Sequence, residues 1–349
     1  MPPTSPRIFL FGTGDTGHAA LSYLIKENAN VVGVCTNTVR PRTSFIFQMK
    51  VFLVQTLFDL GLYQPHDQIL HNFNMKTPDN AKLAQQKNID CYDIGMLNQQ
   101  SFLENCTKLN PDLILCFGFP KLLPKSILDI AKISAINIHP GFLPQRGGGT
   151  PVRWAIFLGD KKIGLTAHIM TIKFDSGKII AERSVPILNN DDSKSAERKI
   201  IKLFPDLMKD ILGLLAEGKL EKDIKNLESP QILPPMRKNH NQINWQKHSA
   251  EDIKKITLAM RPKGSAYSFF KNRQLYFWDI SILEKVKTNA LPGTVIDIEK
   301  NGDLVIKTID GCIRVHSFLF GYKIRSSKFM CWRLNLKPKM FFSYKEQIN

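Results

Sequence analysis

Three side chains in this 349-residue chain are of the types that move protons and steady a negative oxygen: Asn137, His139 and Asp175. Asn137 and His139 stand two apart at the end of the apolar run Ala135-Ile136-Asn137-Ile138-His139. In an extended segment, residues two apart point to the same side, so an amide donor and an imidazole can face one reacting centre. Asp175, arriving on another loop just before Ser176-Gly177, can orient the imidazole, raise its basicity or take a proton itself. A fixed amide beside a proton shuttle can stabilise a developing oxyanion. The chemistry suggested is transfer of an acyl group to an amine or a hydroxyl. The same residue types also fit a turn with a structural histidine and a capping aspartate, so the longer string decides.

That string runs Asn137-Ile138-His139-Pro140, Phe142-Leu143-Pro144, Arg146-Gly147, Pro151, Trp154-Ala155-Ile156, Gly159-Asp160, Gly164-Leu165-Thr166 and Asp175-Ser176-Gly177. In order and spacing it resembles the core of the formyltransferases that use 10-formyltetrahydrofolate. The resemblance implies that Asn137, His139 and Asp175 are the catalytic set and that the folate is a co-substrate, with no metal. It places Phe117, Gly118, Phe119, Leu122, Leu123 and Pro124, with Asp175, around the folate. Gly12, Gly14, Arg146, Gly147, Gly148, Gly149 and His168 fall on the acceptor side. One departure lies in Gln145-Arg146-Gly147-Gly148-Gly149, where Arg146 takes the slot that is aromatic in relatives and a glycine takes the usual Arg slot. Three glycines still allow a tight bend. His168 matches a histidine common in small-molecule and sugar formyltransferases, where methionyl-tRNA enzymes more often have Met or another apolar residue.

The elements that position these residues can be read from the apolar pattern. Ile8–Phe11, the periodic stretch Ala19–Lys26 and Val31–Cys35 read as strand, helix, strand. A right-handed crossover makes the two strands parallel. Leu113–Phe117 and Ala135–Ile138 add further strands. Gly12-Thr13-Gly14-Asp15-Thr16-Gly17 spells a dinucleotide fingerprint, but Cys35-Thr36-Asn37-Thr38 offers no acidic residue for a ribose. The motif reads instead as a tight turn with close helix packing.

From Asp191 to Gly218 the pattern is amphipathic and helical, and Gln231-Ile232-Leu233-Pro234-Pro235 reads as a linker. Beyond it, Ile243-Asn244-Trp245, the helix Ala250–Met260, Arg261-Pro262-Lys263-Gly264-Ser265-Ala266 and the strand-like runs Gly302–Thr308 and Gly311–Phe318 form a second module. It resembles the C-terminal domain of methionyl-tRNA and amino-arabinose formyltransferases. The expected architecture is α/β: a mostly parallel Rossmann-like sheet in a catalytic domain over 1–190, helix and linker over 191–236, and a basic, OB-like antiparallel β-barrel over 237–349.

Length fits two domains, or one large domain with an appended module, rather than one small core, and 43% hydrophobic with 23% charged residues describes an ordinary globular protein. Cys35, Cys91, Cys106, Cys116, Cys312 and Cys331 are scattered with no CxxC pair, which argues against zinc or a disulfide framework and for a reducing, cytoplasmic setting. The N-terminus lacks a signal-peptide pattern. Phe45–Leu62 is interrupted by Gln48, Lys50, Gln55 and Asp59, so it reads as an amphipathic helix on the body rather than a membrane span. Nothing in the sequence indicates an oligomeric state.

The net charge of +17 is unevenly spread: residues 237–349 hold 21 Lys and Arg against 9 Asp and Glu, a net of +12, which leaves +5 for the rest. A basic C-terminal third attracts polyanions, and with the resemblance it points to methionyl-tRNA as acceptor. Against this stand His168, the altered glycine loop, and the apolar Phe45-Ile46-Phe47 after Arg40-Pro41-Arg42, where methionyl-tRNA enzymes carry a longer basic loop. The alternative acceptor is a 4-amino sugar carried on a dTDP or UDP nucleotide. A third reading, an inactive folate- or nucleotide-binding protein, is opposed by the presence of Asn137, His139 and Asp175 together.

Overall fold

A computed structural model describes residues 5–37, 78–220, 230–236, 238–262, 264–283, 286–320 and 323–344. The expected helix Phe45–Leu62 and the segment Arg40–Phe47 lie outside the described residues.

The chain opens with the apolar strand β1 (Ile8–Gly12), fully buried, then helix α1 (Gly14–Lys26), which turns Ala20, Leu21 and Leu24 into the core. Gly12 and Gly17 explain the glycine motif. A Cβ on Gly12 would lie 2.8 Å from the Gly17 Cα, so the helix closes directly onto the strand. Strands β2 (Val31–Thr36), β3 (Asp90–Asp93), β4 (Leu113–Phe117) and β5 (Ser134–His139) follow. Helices α2 (Asn80–Gln86), α3 (Gln100–Leu109) and the single turn α4 (Lys125–Leu128) lie between them. β6 (Gly147–Gly148), helix α5 (Pro151–Leu158), β7 (Lys162–Ile169) and β8 (Ile179–Pro186) come next.

One seven-stranded sheet has the order β3-β2-β1-β4-β5-β7-β8. β1 to β5 pair in parallel, whereas β7 and β8 run antiparallel at one edge. Register sets Gly12 beside Phe117 and Phe117 beside Ile138, so the carboxyl ends of three strands share one edge, where parallel sheets offer their ligand sites.

Helices α6 (Ser193–Ile201) and α7 (Phe204–Ala216) pack on this sheet: Ala196, Ile200, Phe204, Leu207, Met208 and Ile211 belong to its main core. α6 starts on a capping box, Asp192 accepting from the Ser195 amide while the Ser195 hydroxyl oxygen accepts from the Asp192 amide. After the short strand β9 (Ile232–Leu233) comes helix α8 (Ala250–Met260), itself started by a Ser249–Asp252 capping box.

The second sheet is antiparallel, β10 (Ala266–Phe270), β11 (Arg273–Leu283), β12 (Val295–Ile298), β13 (Leu304–Lys307), β14 (Cys312–Phe320) and β15 (Lys323–Ser326), in the order β10-β11-β14-β13-β12 with β15 on β14. Phe269 on β10 bridges to Ser343, and Thr294 beside β12 bridges to Phe341, so both outer strands are tied to the same C-terminal segment. Helix α9 (Ser327–Leu334) lies against β14. This second core is built around Trp245, Phe277, Phe318 and Ile253. Among the described residues, no helix is long and apolar enough to cross a membrane.

Candidate active site

Asn137 and His139 leave β5 on the same side, as the two-residue spacing requires. The antiparallel register of β5 and β7 sets Asn137 directly opposite His168 and His139 opposite Thr166. Directly opposed residues on neighbouring strands have their Cβ atoms about 5 Å apart, so the pairing delivers His168 to the Asn137 amide. Asn137 Nδ2 lies 3.0 Å from His168 Nε2, and His168 Nδ1 lies 3.0 Å from the Ile169 carbonyl oxygen. A carbonyl can only accept, so His168 holds its proton on Nδ1 and offers the Nε2 lone pair to Asn137. That bond fixes the amide with nitrogen inward.

Asp175 completes the group from the loop after β7. It sits in the left-handed region, φ 49°, and is 7% exposed, beside His139 at 4% and His168 at 2%. Its Oδ1 lies 3.4 Å from Asn137 Nδ2, 3.4 Å from His139 Nδ1 and 3.5 Å from His168 Nε2. Its Oδ2 accepts from the Gly148 amide at 2.7 Å. The carboxylate is the hub of the cluster, so the three residues singled out by type do converge.

Both Asn137 amide protons are engaged within the cluster, one well and one across 3.4 Å to Asp175. The longer bond is the weaker, so this proton is the one a substrate oxygen can take. His139 Nε2 donates to the Arg146 carbonyl at 2.6 Å. The nitrogen free to receive a proton is therefore Nδ1, on the Asp175 side.

Burial pushes the His139 pKa below the usual histidine value, against the opposing pull of Asp175 and the Arg146 carbonyl. For Asp175, burial acts to raise the pKa, but the charge of His139 and the hydrogen bond from the Gly148 amide oppose it, and the carboxyl lies below its ordinary value. At neutral pH the pair is thus a neutral imidazole beside a carboxylate, the state in which His139 can accept a proton and Asp175 can stabilise the result.

Other expected site residues are placed differently. The Arg146 side chain is turned to Asp160. It pairs with Asp160 through two bonds, Nε–Oδ2 at 2.8 Å and Nη2–Oδ1 at 2.6 Å, and a guanidinium held in a bidentate pair with a carboxylate is committed. Its contribution to the site is its carbonyl. Gly147 and Gly148 pair with β9, and Gly148 adopts φ +89° with a would-be Cβ 2.3 Å from the Leu233 carbonyl oxygen. Gly149 donates to the Leu233 carbonyl. The loop is thus covered by backbone, and what it offers the cleft is the Gly148 amide.

Of the residues expected around the folate, Phe117 is fully buried and stacked on Phe204 at 5.3 Å and 4°, and Leu123 is 1% exposed in a core with Phe9, Phe11 and Phe102. These two side chains serve the core rather than a ligand wall. Phe119 and Pro124 are half-buried, and Leu122 is exposed. Gly118 accepts from the Thr13 hydroxyl at 2.6 Å, which ties this loop to the glycine turn holding Gly12 and Gly14.

Compared with known proteins, the chain matches the family model described as Formyl transferase over residues 60–212 and the one described as Formyl transferase, C-terminal domain, over 235–330. Together they span well over half of it. The methionyl-tRNA formyltransferase of Clostridioides difficile (strain 630) is 26% identical over 319 residues, covering 91% of this chain and 94% of that protein. That of Staphylococcus aureus (strain MW2) is 29% identical over 301 residues, 86% of each. Among solved structures, the N-formyltransferase from Helicobacter canadensis in complex with folinic acid and dTDP-3-aminofucose matches with a TM-score of 0.59 at 15% identity, covering 89% of this chain and 98% of that one. At that identity the likeness concerns the fold.

The chain belongs to the formyltransferase family. It is an enzyme that moves a formyl group onto an amine, on a Rossmann-like sheet with an appended antiparallel module.

Proposed function

We propose that the chain transfers the formyl group of 10-formyltetrahydrofolate to the amine of methionyl-tRNA, with Asn137, His139 and Asp175 as the catalytic residues. The observation that carries the chemistry is the convergence of these side chains on Asp175 Oδ1, each within 3.4 Å. The acceptor amine attacks the formyl carbon, and Asn137 Nδ2 exchanges its long bond to Asp175 for the oxygen as that oxygen gains charge. His139, neutral at the start, accepts the amine proton on Nδ1, where Asp175 stabilises the imidazolium. Collapse of the tetrahedral centre breaks the bond to the folate nitrogen, which is protonated as it leaves.

The tRNA acceptor is supported by the basic C-terminal third and by relatives of that name along nearly the whole chain. Residues 311–345 contain eight Lys and Arg and no acidic residue. Within them α9 presents Trp332 at 76% exposure, its ring 5.9 Å from that of Phe329, over which the Arg325 guanidinium lies at 5.1 Å from the centroid. Cationic residues interleaved with exposed aromatics suit a phosphate backbone and its bases.

His168 favours the second reading, a nucleotide-linked amino sugar, because the resemblance sets a histidine at this place in formyltransferases with small acceptors. Supplying 10-formyltetrahydrofolate with methionyl-tRNA or with dTDP- and UDP-linked amino sugars separates the two. The proposal requires formylmethionyl-tRNA; formylation of the sugar nucleotide alone would replace it with the second reading.

A further inference from the structure

Residues 230–236, between the two bodies, are laid along the catalytic loop. β9 pairs in parallel with β6, Gly147 beside Ile232 and Gly148 beside Leu233. The Gln231 amide donates to the Pro144 carbonyl at 2.8 Å and the Gly149 amide to the Leu233 carbonyl at 3.0 Å. Side chains rivet the same stretch: Trp154 Nε1 donates to the Pro234 carbonyl at 2.8 Å, and Thr150 Oγ1 accepts from the Met236 amide at 3.0 Å.

The same loop holds the catalytic residues on its other side. The Arg146 carbonyl accepts from His139 Nε2, and the Gly148 amide donates to Asp175 Oδ2. The fit between loop and strap leaves no slack, since a Cβ on Gly149 would lie 2.8 Å from Pro235 Cγ. At its far end the strap is anchored where Met236 packs with Trp154 and with Met260, the last residue of α8 in the C-terminal body. Backbone hydrogen bonds and the Met236 side chain therefore link Met260 of α8 to the carboxylate at the centre of the site.

We propose that Ile232–Leu233 is a positioning strand for formyl transfer: it holds the Gly148 amide against Asp175 and the Arg146 carbonyl against His139, so catalytic geometry depends on how the C-terminal body is seated. This rests on the formyl-transfer reading above. A strand added to a loop fixes backbone groups at hydrogen-bonding precision, and misplacing a catalytic group by an ångström can cost about 10²-fold in rate. An amide donating to a carboxylate also favours its charged form, so a slack strap leaves a second mark, a change in the titration of the site.

The test uses the full chain with Trp154→Phe, which keeps a ring and removes the donor to Pro234, and Gln231→Pro, which removes the amide to Pro144 at an exposed position. Neither residue belongs to the catalytic set. Both variants should exchange the Gly148 and Gly149 amide hydrogens faster than wild type. They should lower kcat roughly tenfold with the KM for the folate within about twofold, and displace the acidic limb of the kcat/KM profile from its wild-type position. Variants with a lower Tm but an unmoved acidic limb and unchanged kcat would show a merely structural strap and overturn the proposal. If wild-type enzyme formylates no acceptor, the formyl-transfer reading fails, whereas amide exchange at Gly148 and Gly149 still reports whether the strap holds the loop.

Discussion

Asn137→Ala removes the only group of the cluster that is placed to donate to the formyl oxygen. A single oxyanion donor is worth about 3 kcal/mol in the transition state, which converts to roughly 150-fold in kcat. The same truncation takes a partner from His168 Nε2 and a weak donor from Asp175 Oδ1. Loss of one ordinary hydrogen bond costs about 1 kcal/mol of stability, too little to unfold a domain of this size. Binding of the folate, which does not depend on a charge that develops later, should change little. Single-turnover transfer from labelled 10-formyltetrahydrofolate gives the rate, and fluorescence titration with a non-transferable folate analogue gives the Kd. A variant that turns over within threefold of wild type would refute the oxyanion role; a large loss of folate affinity with normal single-turnover rate would reassign Asn137 to binding.

The acidic limb of kcat/KM should lie below the ordinary histidine value of roughly 6.5, because burial depresses the His139 pKa and Asp175 is also held below its usual range; a limb above pH 7 would contradict this. Stability follows the same sign. With both folded-state values depressed, the unfolded chain binds protons first as pH falls, so the melting temperature should drop from about pH 6.5 downward, and a rise between pH 7 and 5.5 would count against it. Arg146→Ala should lower stability by about 1 kcal/mol, since its pair with Asp160 is only partly exposed, while leaving the acceptor KM unchanged; a KM rise above tenfold would return the side chain to the cleft. Trp332→Ala should raise the KM for methionyl-tRNA by about tenfold if one base stacks on it and leave transfer to a small amine untouched, an effect steady-state kinetics with both acceptors can resolve.

Much of this site was legible in the chain itself. The Asn137–His139 spacing at a strand end and the glycine-bounded Asp175 carry chemistry in their types, and the apolar runs at Ile8, Val31, Leu113 and Ala135 define a parallel sheet whose carboxyl edge must hold them. What was hidden depends on partners distant in sequence. His168 stands out through the resemblance, on the acceptor side, but its meeting with Asn137 follows only from the antiparallel register of β5 and β7. Arg146 reads as a binding cation because its neutraliser, Asp160, comes from beyond helix α5. Phe117 and Leu123 read as pocket walls because an apolar side chain carries no mark of which way it faces. The stretch Gln231–Pro235 reads as a linker because a two-residue strand has no periodicity to detect, and only the bare backbone of Gly147 and Gly148 permits its approach.

The central claim is that Asn137, His139 and Asp175 together pass a formyl group to an amine. The most direct measurement follows ¹³C-formyl-labelled 10-formyltetrahydrofolate by NMR in the presence of methionyl-tRNA, with wild-type enzyme and with the triple variant Asn137→Ala, His139→Ala, Asp175→Ala. Wild type should place the label in an amide at the methionyl nitrogen, and the triple variant, folded and able to bind folate, should leave it on the folate. Equal transfer by the triple variant, or label released as formate with no amide formed by wild type, would contradict this claim.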